Sequence, residues 1–376
     1  MKIRNLILLS IMVIFLNSCW KVTQQIEFEK VELTEENSKM NFKDFFREID
    51  FFELKFSDEE FWIGNIDSYK IVRDYIYLMD EFQGKKIVKF DLQGNFIAEI
   101  NSVNDAPEGF NSPYIFSVDG ARNEMLILDR SLLKLVYYDS NFNFIGSEKL
   151  DKYYSNIAHL KKGKGLLLFP DDLIKEPDGY VLAFKKIEGK LEPILYTKFP
   201  IIPFSMEPRF FNSHSRIFHL SLEDKLVRYD DSNDEFMPLF QVLFDGEGIP
   251  SKMLKTTDIY EVNAYIQESE KKCCTFNGME YGEHYFFLYH RGIENHGLAR
   301  VNKSDFRDNV SISWNELFSE VNVPVPYGSG DGFYYGVGYL SKVDYELISK
   351  VLGQNAADVE FPDFKEKLFL FKFYLK

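Results

Sequence analysis

From Tyr75 onward the chain alternates apolar and polar positions with a period of two, in short runs broken by Asp, Asn and Gly. The stretch from Tyr75, "YIYLMDEFQGKKIVKFDLQGNFIAEI", holds three such runs. Successive side chains of a strand point to opposite faces, and Asp, Asn and Gly accept the backbone angles of tight turns. The stretch therefore predicts three antiparallel strands joined by two turns. It returns from Met125 as "MLILDRSLLKLVYYDSNFNFIGSEKL". In both copies a strand ends in Asp (Asp80, Asp129), a polar turn follows, and a second strand ends in aromatic-Asp (Phe90-Asp91, Tyr138-Asp139). Looser copies begin at Tyr180, Ile217 and Tyr285.

These starts are spaced, with scatter, by about the 40 to 50 residues of a propeller blade. The strands "NIDSYKIVRD" and "SPYIFSVDG", just ahead of the first two copies, complete four-stranded units. Such a sheet has two apolar faces and is unstable alone, whereas sheets packed face to face around an axis bury each other. Two alternating runs belong to no copy: "IDFFELKF" at 49–56 and "KLFLFKFYLK" at 367–376. Joined, they close the ring and leave no long open edge. The expected fold is all-β: a six-bladed β-propeller of four-stranded antiparallel blades, closed by N- and C-terminal strands in one composite blade. A short helical insert is expected at "SKVDYELISKVLG", where Val343, Leu347, Ile348 and Leu352 recur at helical spacing.

Length alone suggests two domains, but no Pro/Gly/Ser-rich linker interrupts residues 46–376, so one domain is expected there. Residues 19–45 are polar with one alternating patch and read as a tether. Residues 1–18 begin with Lys2 and Arg4 and run through the apolar segment Leu6 to Leu16. That run is too short to span a bilayer, which takes about 20 residues, and it fits a signal-peptide core. Ser18 before Cys19, with Leu16 further back, resembles the lipobox of bacterial lipoproteins, which implies lipid on Cys19 and attachment to a membrane through it. Two or three acyl chains anchor stably where one is marginal. An ordinary secretory signal with an incidental cysteine is the plainer alternative.

The net charge of −15 repels phosphate backbones, so nucleic-acid binding is not expected. Only Cys273 and Cys274 remain beyond Cys19, and neighbours in sequence cannot staple distant parts of a fold. They form either a strained vicinal disulfide or, more simply, two thiols on opposite faces of a strand.

The order "KDFFREIDFFELKF", "GNIDSYKIVRDYIYLMD", "KIVKFDLQGNFIAEI", then "NDAPEGF", resembles the six-bladed β-propeller lipoproteins of Bacteroides and its relatives. That family usually carries a Gly-rich segment ending Gly-Pro-Gly-Glu-Tyr after the first blade. Here Asn104 to Phe110 stands in its place, keeping Pro107 and an acidic-Gly-aromatic ending in altered order. The resemblance covers the mature chain and implies a propeller exported to the envelope, as an outer-membrane lipoprotein facing the periplasm or the cell surface. It implies little chemistry.

In a propeller, the loops between blades and those between each blade's second and third strands share one face around the central channel, where ligands usually bind. The candidate ligand-binding residues on that face are Asp80, Asp105, Glu108, Asp129, Arg130, Arg209, His214, His290 and Arg291. Glu81, Glu223 and Asp224 accompany them. For Asp80 and Asp129 the plainer role is capping a turn through the side chain. His284 and His290 lie about 20 Å apart if on one strand, too far for one zinc ion, and His296 follows in the next turn. Isolated turn and core histidines are therefore expected, with no metal and no cofactor. Aromatics in loops, such as Phe82, Phe110, Phe210, Phe211, Tyr327 and Tyr334, are more open to stacking on a sugar or peptide, although inter-blade packing is the commoner use. No nucleophile elbow, His-Glu-x-x-His or P-loop occurs, so no catalytic residue is assigned.

The leading expectation is a lipid-anchored binding or accessory module that presents a propeller face to a glycan, a peptide or an envelope protein, possible work being nutrient uptake. The rivals are a metal-dependent propeller hydrolase or lyase, with ligands from several blades at the channel mouth, and a scaffold in an envelope complex.

Overall fold

The computed structural model describes residues 28–33, 40–56, 63–197 and 216–376, with breaks at 102, 161–164, 172–173, 178, 221–222, 245–248, 257, 269–271, 293–294, 354–358 and 362–365. Six sheets, antiparallel save for one parallel edge strand, stand in a ring as a six-bladed β-propeller. The first blade runs from its inner to its outer strand through Ser68–Val72, Tyr75–Asp80, Lys86–Asp91 and Phe96–Ile100. The second follows with Pro113–Asp119, Glu124–Asp129, Lys134–Asp139 and Phe144–Lys149. In the third, Tyr154–His159 is innermost and Gly179–Ile187 pairs on one side with Leu166–Pro170 and then Ile174–Glu176, on the other with Lys190–Thr197. The second strand of this blade is thus broken in two. Tyr180 consequently opens a third strand, not the second strand its sequence repeat suggests.

The repeat is written in the turns. Arg73 (φ 54°), Lys85 (φ 46°) and Gly94 (φ 83°) sit at the three successive turns of the first blade. Asn123 (φ 58°), Leu133 (φ 49°) and Phe142 (φ 66°) repeat the pattern in the second. Each places a residue in the left-handed region one or two positions before a strand, where the chain must reverse. Arg216 (φ 56°), Asp224 (φ 49°) and Asp234 (φ 58°) do the same around Ile217–Leu220, Lys225–Asp230 and Glu235–Phe244 of the fourth blade. In this sheet Ile217–Leu220 is one edge strand, and Lys30–Leu33 is the other. The aromatic-Asp endings cap the turn that follows. Asp91 Oδ1 accepts Gln93 N–H at 3.0 Å and Asn95 N–H at 2.8 Å, and Asp139 Oδ1 accepts Asn141 N–H and Asn143 N–H, each at 2.8 Å. At Gly94 a side chain is also sterically barred, because a Cβ would stand 2.2 Å from the Glu53 carbonyl oxygen.

The fifth blade comprises Lys272–Tyr281, His284–Arg291, Asn295–Asn302 and Asn309–Ser313. The sixth is the expected composite: Gly328–Ser329, Phe333–Leu340 and the C-terminal Lys367–Leu375 are completed by the N-terminal strand Phe46–Glu53. Rings fill its seam, with Phe51 stacked on Phe371 at 5.1 Å and Phe46 against Phe373 at 5.5 Å. Part of the expected tether is folded. Lys30–Leu33 lies parallel to the outer strand Glu235–Phe244 of the fourth blade, and Phe42–Phe45 forms a helical turn before the composite strand. The reason is the alternating patch "KVEL": Val31 and Leu33 are each 1% exposed, packed with Val242, Phe244 and Phe306. Residues 1–18, expected to be a signal peptide, and Cys19 lie outside the described residues.

The helical insert is Lys342–Leu352, between the second and third strands of the sixth blade. Ser341 and Asp344 close its start as a capping box and Gly353 ends it at φ 72°. Its buried face is Tyr345 and Ile348, with Tyr345 5.3 Å from Phe369. Val343 and Leu347, expected on that face, are 72% and 42% exposed, because Tyr345 turns the helix toward the aromatic seam. Among the described residues no helix is long and apolar enough to cross a membrane.

Candidate site at the channel mouth

Alternating strand directions bring the loops between blades, and those between second and third strands, to one end of the ring. Asp80 and Asp129 end equivalent second strands there, both fully buried. Asp80 accepts Gly64 N–H at 2.8 Å through Oδ2 and Gln83 N–H at 2.9 Å through Oδ1. Asp129 accepts Asn111 N–H at 2.6 Å through Oδ2, and Leu132 N–H and the Ser131 hydroxyl, each at 3.0 Å, through Oδ1. Each carboxylate stitches its own turn to the loop entering its blade. Both oxygens of each carboxylate accept hydrogen bonds from the protein and neither side chain faces solvent, which is the turn-capping role. Glu81 is buried as well, and its N–H donates to Asp67 Oδ2 at 2.7 Å.

The loop "NDAPEGF" is pinned at its far end. Phe110 is fully buried among Tyr77, Phe116 and Tyr138 between the first two blades, so it packs and does not stack on ligand. The Tyr138 hydroxyl donates to the Glu108 carbonyl, Lys134 Nζ donates to the Ala106 carbonyl at 2.8 Å, and Asn111 Nδ2 donates to Asp105. The Glu108 carboxylate remains exposed.

Besides Glu108 and Phe82, two groups among the described residues of the mouth set aromatic rings against polar partners near solvent. Between the second and third blades, Arg130 bridges to Asp171 at 2.5 Å and lies over the rings of Tyr114 (4.7 Å) and Tyr153 (5.9 Å), the latter 43% exposed. At the fifth and sixth blades, the Tyr327 ring stacks on buried Phe276 at 5.7 Å and 24°, while its hydroxyl meets His296 Nε2 at 3.2 Å. The Tyr327 N–H donates to the Tyr69 hydroxyl of the first blade at 2.9 Å, and the ring is 37% exposed. His290 and His296 are cross-strand partners with ring centroids 4.9 Å apart. Burial pushes His290 down to about 3, aided by the neighbouring His296, and pushes His296 down to about 4. Both are neutral imidazoles at neutral pH.

The sequence missed this pairing because it measured His284 against His290 along one strand. The legible signal was the hairpin: His290 and His296 flank the Arg291–Asn295 pair that closes it, so the register makes them neighbours. Tyr334 is fully buried, its hydroxyl donating to the Asn277 carbonyl at 2.9 Å, and belongs to the core. Phe82, by contrast, is 65% exposed in the first blade's loop. Arg209, His214, Phe210 and Phe211 lie outside the described residues, as do the side chains of Arg291, Cys273 and Cys274.

Elsewhere, polar chains tie blades together. His219 Nε2 accepts the Gly278 N–H at 2.7 Å and its Nδ1 pairs with the Thr275 hydroxyl at 3.1 Å, joining the fourth blade to the fifth. Asp224 Oδ1 accepts Thr275 N–H at 3.0 Å across the same boundary, and Glu223 pairs with Lys225. Ser117, His159 and Glu124 form a hydrogen-bonded row, at 3.0 and 3.1 Å, between the second and third blades. Ser117 and His159 are 3% and 6% exposed, which makes the row an inter-blade clasp.

The family model described as a domain of unknown function, DUF4934, matches residues 24–337. The chain belongs to the DUF4934 family. Among solved structures, this DUF4934 protein is similar to a Bacteroides fragilis protein thought to be exported, with 15% identity and a TM-score of 0.68 over 92% of this chain and 100% of that one. It is also similar to a Bacteroides vulgatus member of the DUF4221 family, with 13% identity and a TM-score of 0.52 over 93% and 99% of the two chains. At such identity the likeness shows the fold alone. No curated protein matches the chain.

Proposed function

We propose that this protein is an exported, lipid-anchored envelope module whose channel mouth binds a glycan or peptide, without catalysing a reaction on it. The observation that carries this reading is the pair of held, half-exposed tyrosine rings. Tyr327 is fixed by Phe276, His296 and Tyr69, and Tyr153 lies beside Arg130. Rings that pay no ordering cost on binding suit the apolar face of a sugar or the flat side chain of a peptide. The internal use of Asp80 and Asp129 removes the acidic groups a hydrolytic reading would call on first. Among the described residues no three His, Cys, Asp or Glu side chains converge as a metal site, so the metal-dependent hydrolase gains no support.

The signal-like residues 1–18, Cys19 and the exported Bacteroides relative support the envelope address. Cys19→Ala is expected to move the protein from the membrane to the soluble fraction. Ligand binding is tested by titrating oligosaccharides and short peptides against residues 19–376 with calorimetry. Binding that falls about tenfold or more in Tyr327→Ala supports the site, since stacking on one ring is worth about 0.5–1.5 kcal/mol beyond its area. Full affinity in Tyr327→Ala and Tyr153→Ala overturns it.

A further inference from the structure

We propose that Lys70, in the wall of the central channel just below the mouth, binds the carboxylate of an acidic sugar, so that the ligand of the mouth is a uronic-acid glycan. This rests on the mouth being a binding face, as read above, and supplies the class of ligand.

Lys70 belongs to Ser68–Val72, the innermost strand of the first blade. Innermost strands border the channel. Every residue of this one keeps partial exposure, whereas Pro113–Asp119 and Tyr154–His159, innermost in the next two blades, are mostly buried. The strand starts at the mouth, where Ser68 stands opposite Met79, the residue before Asp80. Lys70 is two residues further down, about 7 Å at the rise of a strand. Its neighbour Tyr69 carries the hydroxyl that accepts the Tyr327 N–H at 2.9 Å, so the lysine adjoins the contact that holds an exposed ring of the mouth.

The Lys70 ammonium has no counter-ion. Its Nζ stands 5.7 Å from the ring centroid of Phe116 on the second blade, and among the described residues no carboxylate pairs with it. The Phe116 ring face attracts the cation but neutralises none of its charge. Burial pushes Lys70 down to about 8, so the group is still mainly protonated at neutral pH. A charge enclosed without a partner is costly, and a bound anion removes that cost. One lysine balances one carboxylate, whereas a phosphate brings nearly two charges into a chain of net charge −15. A uronic acid joins on one sugar ring an apolar face for a tyrosine such as Tyr327 and a single carboxylate for Lys70. An acidic amino acid has the carboxylate without the ring, and an aromatic one the ring without the carboxylate.

The test titrates tetragalacturonate, its neutral counterpart galactotetraose and an acidic tetrapeptide against residues 19–376 by calorimetry, in wild type, Lys70→Met and Lys70→Arg. Wild type is expected to bind the acidic sugar about tenfold or more tighter than the neutral one. Lys70→Met keeps an apolar stem over Phe116 and removes the charge. It is expected to lose that margin, to bind the neutral sugar as wild type does, and to melt at or above wild type because an unpaired enclosed charge is gone. Lys70→Arg is expected to retain the preference. Equal affinity of wild type for both sugars, a preference that survives in Lys70→Met, or tighter binding of the peptide than of the acidic sugar overturns the role of Lys70 and leaves the binding face standing. Lys70→Met melting well below wild type makes the charge structural and overturns that role as well. No binding of any of the three probes overturns both readings together.

Discussion

The imidazole of His219 accepts the backbone N–H of Gly278 at 2.7 Å across the boundary of the fourth and fifth blades. Burial pushes His219 down to about 3, so it is neutral in the fold and its Nε2 can act as acceptor. A folded-state value below the ordinary one means that the clasp's stability is fully present above about pH 6.5 and is lost as pH falls toward 3. His290 and His296 are shifted the same way and add to the slope. Melting temperature is expected to fall between pH 6.5 and 4, and less steeply in His219→Gln; equal slopes in the two proteins would show that His219 does not titrate with unfolding.

Gly278→Ala tests the same contact sterically. A Cβ there would stand 2.6 Å from His219 Nε2. Overpacking of this kind costs about 1–3 kcal/mol. Denaturant melts are expected to show that loss in wild type background and a smaller one in His219→Ala, where the collision is relieved. Equal losses in both backgrounds would place the strain elsewhere.

Asp80 and Asp129 are predicted to matter for stability and not for binding. Asp129→Ala leaves the Asn111 and Leu132 N–H groups without their acceptor in a buried site, a loss of about 2–4 kcal/mol. Asp80→Ala does the same to Gly64 and Gln83. The two sites share no partner, so the double variant is expected to be additive within about 0.5 kcal/mol in urea melts. Loss of ligand affinity in either variant at a temperature where it is fully folded would return these carboxylates to the site.

A chain beginning at residue 34 is expected to melt below one beginning at residue 27. Deleting Lys30–Leu33 exposes what Val31 and Leu33 cover on the fourth blade, and burying each such side chain contributes about 1.5–3 kcal/mol. Coincident melts would mean that the strand is dispensable.

The ring was legible because its grammar is local. Alternation marks strands, and the Asp91 and Asp139 turns repeat within a few residues of each other's pattern. The composite blade was legible for a negative reason, since two strong strands had no copy of their own. Lys30–Leu33 was not, because a four-residue run inside a polar stretch becomes a strand only when a distant edge receives it. The same holds for the mouth. Arg130 could be placed on the correct face, but that it lies over Tyr114 and pairs with Asp171 depends on how two blades abut. Asp80 was legible first as a cap and second as a ligand, and its buried N–H partners favour the cap.

The N-terminal segment carries a consequence for how the molecule is made. Lys30–Leu33 pairs with Gln241–Phe244, and Phe46–Glu53 with Lys367–Leu375, so both early strands wait for partners about 200 to 320 residues further along the chain. Lys376 donates its N–H to the Phe45 carbonyl at 3.1 Å. Contacts this distant in sequence form late, after the loop they close has been ordered. Until Lys367–Leu375 is made, Phe46–Glu53 has no partner, and the arrival of that strand is what closes the ring.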